Sequence, residues 1–376
     1  MSDIAPGTPS WLRERNDRAA LALLLEHGSL TRNRLGELSG MSKPTAAQMV
    51  SRLERAGIIE AVGEVSGGRG PNAVSYGVRA GRLRGVAIDI RDRRIAATVV
   101  DALDHDHPIV DFATDGLDRT PEGDVRAALD AACAAAGVDV GSVATVWVGV
   151  QAAISDDGDS LSFTDTLPGW PELGARRRIE DALGLEVALD NDVNLAAIAE
   201  RAVGAGQDAA SFALLWMGDG LGLAVDLGGT LHRGAAGGAG EIGYLPVPRA
   251  AEQLVPGAED LTDLLGGEAV STLLAEHGLE GDDLSSILSQ LPGDEPALRA
   301  LSERVVLGVI PVLAVLDPEL VATLLSELPS RRLESTSRWR PVVRASRIAG
   351  PSVLGGARRM LVGRIHERLV ADITTH

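Results

Sequence analysis

Apolar positions recur at helical spacing from Asn16 to His27, with Ala19, Ala20, Leu23 and Leu24 on one face and Gly28 just past the end, so this segment reads as an amphipathic helix. Thr31 is suited to cap a second, shorter helix that presents Leu35 and Leu38 inward before the turn Ser39-Gly40-Met41. Ser42 caps a third, in which Pro44 is tolerated in the first turn and Met49, Val50 and Leu53 form the inward stripe. After Gly57 the pattern changes to two short extended runs, Ile58 to Val65 and Ala73 to Val78, around Gly67-Gly68-Arg69-Gly70-Pro71-Asn72. Three helices with a Gly-containing turn between the second and third, followed by a hairpin, predict a winged helix-turn-helix over residues 1–80.

From Arg84 the pattern is that of an α/β domain. Gly85 to Ile90, Ile95 to Asp101 and Ile109 to Thr114 read as an antiparallel meander, followed by a helix capped at Thr120 with Pro121 at its first position. Ala144 to Val150 is a buried strand, and residues 186–190 form another that ends at Asp190-Asn191-Asp192 before an Ala-rich helix. A similar order then returns: a hairpin of Phe212 to Met217 and Leu223 to Asp226, helices to about residue 316, and a strand near 319–325. Two meander-then-helix units imply a duplicated fold with a cleft between lobes. The expected organisation is a small lobe over 84–190, a large lobe over 191–350, and a helix over 351–376 packing back on the small lobe. Ligands of such architectures sit at the carboxyl ends of strands, which places a candidate site at Asn191, Asp192 and the Gly218 loop.

Charge alters the picture in one respect. The chain of 376 residues carries a net charge of -18, which by itself argues against nucleic acid, yet residues 1–82 hold 11 Lys and Arg against 8 Asp and Glu. A basic reader therefore precedes an acidic body, whose exposed charges are largely screened beyond about 10 Å at 0.1 M salt. The outward face of the third helix offers Lys43, Thr45, Gln48, Ser51 and Arg52, and Arg69 stands at the wing tip. Gln can pair with adenine, Lys can reach guanine or phosphate, and an Arg between Gly and Pro can enter a minor groove, so these residues predict contact with double-stranded DNA. A plain solvated helix face is the competing reading for any one of them. The start of the chain has no charged-then-apolar leader pattern and no apolar run suits a membrane span, so a cytoplasmic protein is expected. Cys133, the single cysteine, reads as a small buried apolar residue, which leaves no disulfide framework or multi-cysteine metal site.

Three stretches then stand out together: Leu167-Pro168-Gly169-Trp170, Asp190-Asn191-Asp192-Val193-Asn194 through Ala199-Glu200, and Gly228 through Gly240-Glu241-Ile242-Gly243. Their order and spacing resemble the ROK family (repressors, open reading frames and kinases) of the actin-like ATPase superfamily, over nearly the whole chain. The resemblance implies a bilobal actin-like, ribonuclease H-like body. Asn191, Asp192 and Glu241 would be its sugar-binding residues, and Asp192 would match the base that accepts the proton of the phosphorylated hydroxyl in kinase relatives. Taken alone, Asn191 and Asp192 also suit a helix cap.

Departures from the family pattern fall on the nucleotide side. Where kinases have Asp-x-Gly-Gly-Thr, this chain has Asp89-Ile90-Arg91-Asp92-Arg93; the second phosphate loop reads Gly218-Asp219-Gly220; and Leu320 to Leu325 replaces a Gly-Gly turn beside the adenosine. The family's zinc-binding cysteines are missing, and Tyr244 stands where its sugar-contacting His would follow Gly-Glu-Ile-Gly. The resemblance thus implies a regulator of carbohydrate genes with no catalytic residue, cofactor or metal. It would bind an operator as a homodimer or a dimer of dimers, with half-sites ~34–36 Å apart or a multiple, and would sense an unphosphorylated sugar. An ATP-dependent sugar kinase and an effector-independent DNA-binding protein with a scaffold body are the rival expectations.

Overall fold

The structure, a computed structural model, describes residues 8–66, 72–114, 119–164, 167–218, 220–281, 284–323, 339, 342–348 and 350–375. Arg69, Asp219, Leu324 and Leu325 lie outside the described residues.

The N-terminal unit contains α1 (Pro9–His27), β1 (Leu30–Thr31), α2 (Arg32–Ser39), α3 (Lys43–Arg55), β2 (Ile59–Val65) and β3 (Ala73–Val78). Helix α1 starts well before Asn16, because the Thr8 side chain caps it and Pro9 takes the first position. Its first turns are too polar to show a stripe. The buried face is Asp17, Ala20, Leu21 and Leu24, one step round from the expected Ala19, which is exposed. In α2, Leu35 is buried but Leu38 is 37% exposed, a second departure from the expected stripe. There the contact with α3 is made by Gly36, where an added Cβ would stand 3.3 Å from the Ala46 side chain. Met49, Val50 and Leu53 of α3 are buried as the pattern predicts. Strand β1 was not legible, being two residues long; it pairs with β3 to give the sheet order β1-β3-β2.

The body holds two five-stranded sheets of one design. The first comprises β4 (Arg84–Ile90), β5 (Arg94–Asp101), β6 (Ile109–Ala113), β7 (Val143–Val150) and β10 (Glu186–Asn191), in the order β10-β7-β4-β5-β6. The second comprises β11 (Ser211–Met217), β12 (Leu221–Leu227), β13 (Thr230–Leu231), β14 (Leu320–Thr323) and β15 (Val342–Ala345), in the order β13-β12-β11-β14-β15. In each, the first three strands form an antiparallel meander and the last two add parallel beyond its first strand. The duplication read from the sequence is therefore present strand for strand.

A small hairpin, β8 (Ala153–Ile154) and β9 (Leu161–Ser162), follows β7. Helices α4 (Pro121–Ala136) and α5 (Ala175–Leu183) pack with the first sheet, and α6 (Asp192–Val203) leads from β10 toward the second. The second lobe adds α7 (Leu261–Leu265), α8 (Gly267–Glu276), α9 (Leu284–Gln290) and the long α10 (Glu295–Leu316). The last helix, α11 (Ser352–Thr375), lies against β4, β5, β7 and α6, and also touches α1. Gly356 makes the approach to α6 possible, since a Cβ there would meet the Leu195 carbonyl oxygen at 1.9 Å. As a result Leu21, Leu24, Met49 and Leu53 of the reader share one continuous hydrophobic cluster with Leu195, Leu361 and Leu369 of the body. Burial of that apolar area, at ~25 cal/mol per Å², joins the two units.

Among the described residues no helix is long and apolar enough to cross a membrane. No group of three or more His, Cys, Asp or Glu is placed to hold a metal there. Cys133 is buried in α4, and its thiol is pushed up by burial.

Candidate functional site

Two regions carry the sequence-nominated residues. In the reader, Ser42 caps α3 by accepting from the Thr45 backbone N–H, and the two hydroxyls lie 2.8 Å apart. Thr45 is thereby half-buried in the cap, whereas Lys43 and Gln48 are exposed on the same helix. Arg52 is placed differently from the expectation. Its Nε and Nη2 donate to the Asp17 carboxylate at 2.9 and 2.5 Å, and Asp17 is buried in α1. The guanidinium fork thus fastens α3 to α1 and is turned away from the outward face. Asp17 was missed because a carboxylate among the first turns of a helix reads as solvated, and no local signal ties residues 35 positions apart. Arg32 was missed for the same reason: it donates to the Tyr76 hydroxyl and lies 5.0 Å over that ring, locking α2 to β3.

The cleft is built where the two sheets approach. Strand β10 delivers Asp190 and Asn191 to the start of α6, and the Asn191 Oδ1 accepts the Asn194 N–H at 3.0 Å, so the cap reading holds for Asn191. Its amide also donates to the Ala152 carbonyl at 3.1 Å, fixing the helix to the loop that follows β7. Asp192 is only 4% exposed and its Oδ1 accepts the Val193 N–H at 2.8 Å. Burial, reinforced by the charges of Asp89 and Glu241, raises its pKa to about 7, against the opposing pull of Arg91. The structure therefore brings Asp192 and Glu241 into one electrostatic cluster, and adds Asp89 and Arg91 to it. Glu241 is half-buried, with its carboxyl also pushed up by burial.

The Glu241 segment is held by close backbone approaches. Gly240 has φ +99° and a Cβ there would stand 1.8 Å from the Leu223 carbonyl oxygen; Gly237, at φ +80°, would meet the Ile154 oxygen at 1.9 Å. Only glycine fits either place, so this run of the family-like motif seats the loop against both lobes. The Leu167-Pro168-Gly169-Trp170 stretch works in the same way. Gly169 packs on the Arg119 backbone, and the Trp170 indole donates to Asp124 at 2.9 Å. Trp170 is thus a buried brace beside the Arg119–Asp124 ion pair.

On the nucleotide side, the turn joining β4 and β5 closes tightly. The Arg91 N–H donates to the Arg94 carbonyl at 2.9 Å, and the Arg91 Nε donates to Asp89 at 3.1 Å. That backbone N–H is spent within the hairpin, and side chains at 91–93 stand where a glycine turn would let phosphate approach. Sequence reasoning also missed a lobe-to-lobe ion pair: Arg233, after β13, is bidentate to the buried Asp190 at 2.5 and 3.0 Å. Two hollows, of about 410 and 560 Å³, flank Arg359; residues of β7, β10, α6, β12, β13 and α11 line them, and neither Asp192 nor Glu241 does.

A winged helix-turn-helix joined to a duplicated two-sheet body with a carboxylate cleft defines a two-part protein of reader and actin-like kinase fold. The ROK family profile matches residues 86–321 and a winged helix-turn-helix DNA-binding profile matches residues 13–60. The chain belongs to the ROK family and carries an N-terminal winged helix-turn-helix. Among curated proteins it is 21% identical over 244 residues to a putative xylose repressor of Caldicellulosiruptor sp. (strain Rt8B.4), covering 64% of this chain and 61% of that one. It is 22% identical over 265 residues to the xylose repressor of Bacillus spizizenii, covering 65% and 63%. The chain therefore spans under two thirds of the length of these relatives. Among solved structures, a ROK family transcriptional regulator described as a homologue of the E. coli MLC protein superposes with a TM-score of 0.66 at 17% identity, over 97% of this chain and 100% of that one. This likeness is one of fold.

Proposed function

We propose that the chain is a DNA-binding transcription regulator of carbohydrate-related genes, acting as a repressor, whose cleft senses an unphosphorylated sugar. The observation that carries this reading is the hydrophobic continuity from the reader through α11 to α6, the helix that begins at Asp192. A ligand that shifts α6 acts on α11, which packs against both α6 and α1. The exposed Lys43 and Gln48 supply the major-groove face; Arg69, outside the described residues, is kept from the sequence as the minor-groove contact. Relatives named xylose repressor favour the same assignment. Paired readers on a homodimer or dimer of dimers would match a two-fold operator. A regulator with an operator to find works in the cytoplasm.

The kinase alternative draws on Asp192, whose raised pKa suits a base acting near neutrality. Against it stand the closed Arg91 turn and the ion-paired Arg91 side chain, because phosphoryl transfer depends almost wholly on positioning and charge stabilisation around the phosphates. Two measurements on the full chain test the proposal. Operator fragments selected from genomic DNA should be bound by the wild type, lost in a Lys43→Ala, Gln48→Ala double variant, and released by one sugar from a thermal-shift screen. A coupled ADP-release assay with that sugar and Mg-ATP should show no turnover. Unchanged DNA binding in the double variant would refute the reader assignment, and turnover abolished by Asp192→Asn would establish the kinase instead.

A further inference from the structure

Only 3 Phe and 2 Tyr occur in the chain, and one of each meets at the cleft. Phe163, just after β9 in the first lobe, and Tyr244, in the second, pack with ring centroids 4.9 Å apart and planes inclined by 37°. Both are solvent-exposed, at 44% and 54%. Phe163 has φ +58°, a conformation that bulky side chains rarely adopt and that persists where surroundings over-determine it. The rings flank the segment that carries Glu241. A Cβ at Gly238 would lie 3.5 Å from the Phe163 ring, and Tyr244 closes the short 3-10 turn that starts immediately after Glu241. Two exposed aromatics, one of them on strained backbone, thus flank the segment of the half-buried Glu241 and bridge the lobes. A solvated surface has no use for that combination, whereas an amphipathic ligand does.

We infer that Phe163 and Tyr244 form an apolar subsite at the cleft mouth, so that the ligand is a glycoside carrying an aryl aglycone rather than a free monosaccharide. This rests on the sugar-sensing reading above and deepens it. The hydroxyls of the glycosyl unit pair with Asp192 and Glu241, and the flat apolar group lies against the two rings, where stacking requires no charge. The aglycone is neutral. Asp89, Asp192 and Glu241 surround the inner site with carboxyl groups, while Arg91 is engaged by Asp89.

The test is calorimetry on the full chain with p-nitrophenyl glycosides of glucose, galactose and xylose, each beside its free sugar. One aryl glycoside should bind at least tenfold more tightly than its parent sugar. Phe163→Ala and Tyr244→Ala should each erase most of that advantage while leaving the free sugar's affinity within twofold, and Asp192→Asn should weaken both ligands alike. Tyr244→Phe should keep the advantage, which separates stacking from a role of the hydroxyl. Equal affinities for aryl glycoside and sugar, or an advantage that survives both alanine variants, would overturn the subsite while leaving sugar sensing intact. Binding of neither class would overturn the sensing reading together with the subsite.

Discussion

The reader and the cleft use polar groups in opposite ways. On α3 the candidate contacts Lys43 and Gln48 come from one helical face, are exposed, and stand ready for a partner that arrives from solvent. In the cleft Asp89, Asp192 and Glu241 come from three segments far apart in sequence and are wholly or partly withdrawn from water, and burial together with the charges of Asp89 and Glu241 pushes the Asp192 carboxyl up. The difference teaches where each region is vulnerable. A surface reader depends on the scaffold that aims it, while a buried acidic site depends on its charge state.

The strongest way to break the comparison is to attack the reader's scaffold. Arg52→Ala would leave the Asp17 carboxylate buried without its bidentate partner, a loss of about 3 kcal/mol. Chemical denaturation should show the reader melting early, and operator affinity should collapse on every sequence equally. Lys should not rescue it, because a single ammonium cannot replace the guanidinium fork. If Arg52 instead reads DNA, stability will hold and one base preference will relax.

The complementary change in the cleft should have the opposite sign. An acid whose pKa is raised on folding contributes stability present below its unfolded value near 3.8 and lost as pH rises through about 7. Asp192→Asn should therefore flatten the fall in stability between those values and leave the variant more stable than wild type at pH 8. Ligand affinity should respond in the reverse sense. The ionised carboxylate is the better acceptor for a hydroxyl, so wild-type affinity should rise between pH 6 and 8, and the Asn variant should lose that rise along with at least tenfold in affinity, about 1.4 kcal/mol. A pH-independent wild type would remove Asp192 from the ligand's contacts.

The same contrast explains what the sequence disclosed. The three helices, the wing strands, the first meander and the hairpin that opens the second were legible because each is marked by local periodicity and by caps such as Ser42, Thr120 and Pro121. The third strand of the winged unit was not, since β1 has two residues and exists only through its pairing with β3. In the cleft, Asn191 and Asp192 announced themselves as a polar pair before an apolar helix, yet the partners that tune Asp192 lie in other segments. Asp89 and Arg91 were noted for their place in a hairpin rather than for their nearness to it. Arg52 misled for the mirror-image reason: helical spacing puts it near the outward face, and only the tertiary contact with Asp17 turns its fork inward.

The finest test lies within the reader, between two neighbours on α3 that should fail in different ways. Gln48 has the amide geometry to pair with an adenine edge, so Gln48→Ala should cost roughly 1–3 kcal/mol against the preferred base and almost nothing against the other three. Lys43, beside the helix N-terminus, offers a point charge suited to a phosphate. Lys43→Ala should weaken all operators to the same small extent and lower the salt slope by about one ion, about a threefold change in relative affinity between ~50 and ~200 mM salt. Fluorescence anisotropy with a single-base operator library at several salt concentrations separates the two signatures. Were Lys43→Ala to change base preference and leave the salt slope alone, α3 would be docked in the groove at a different angle, with its first turn on the base edges and Gln48 toward the backbone.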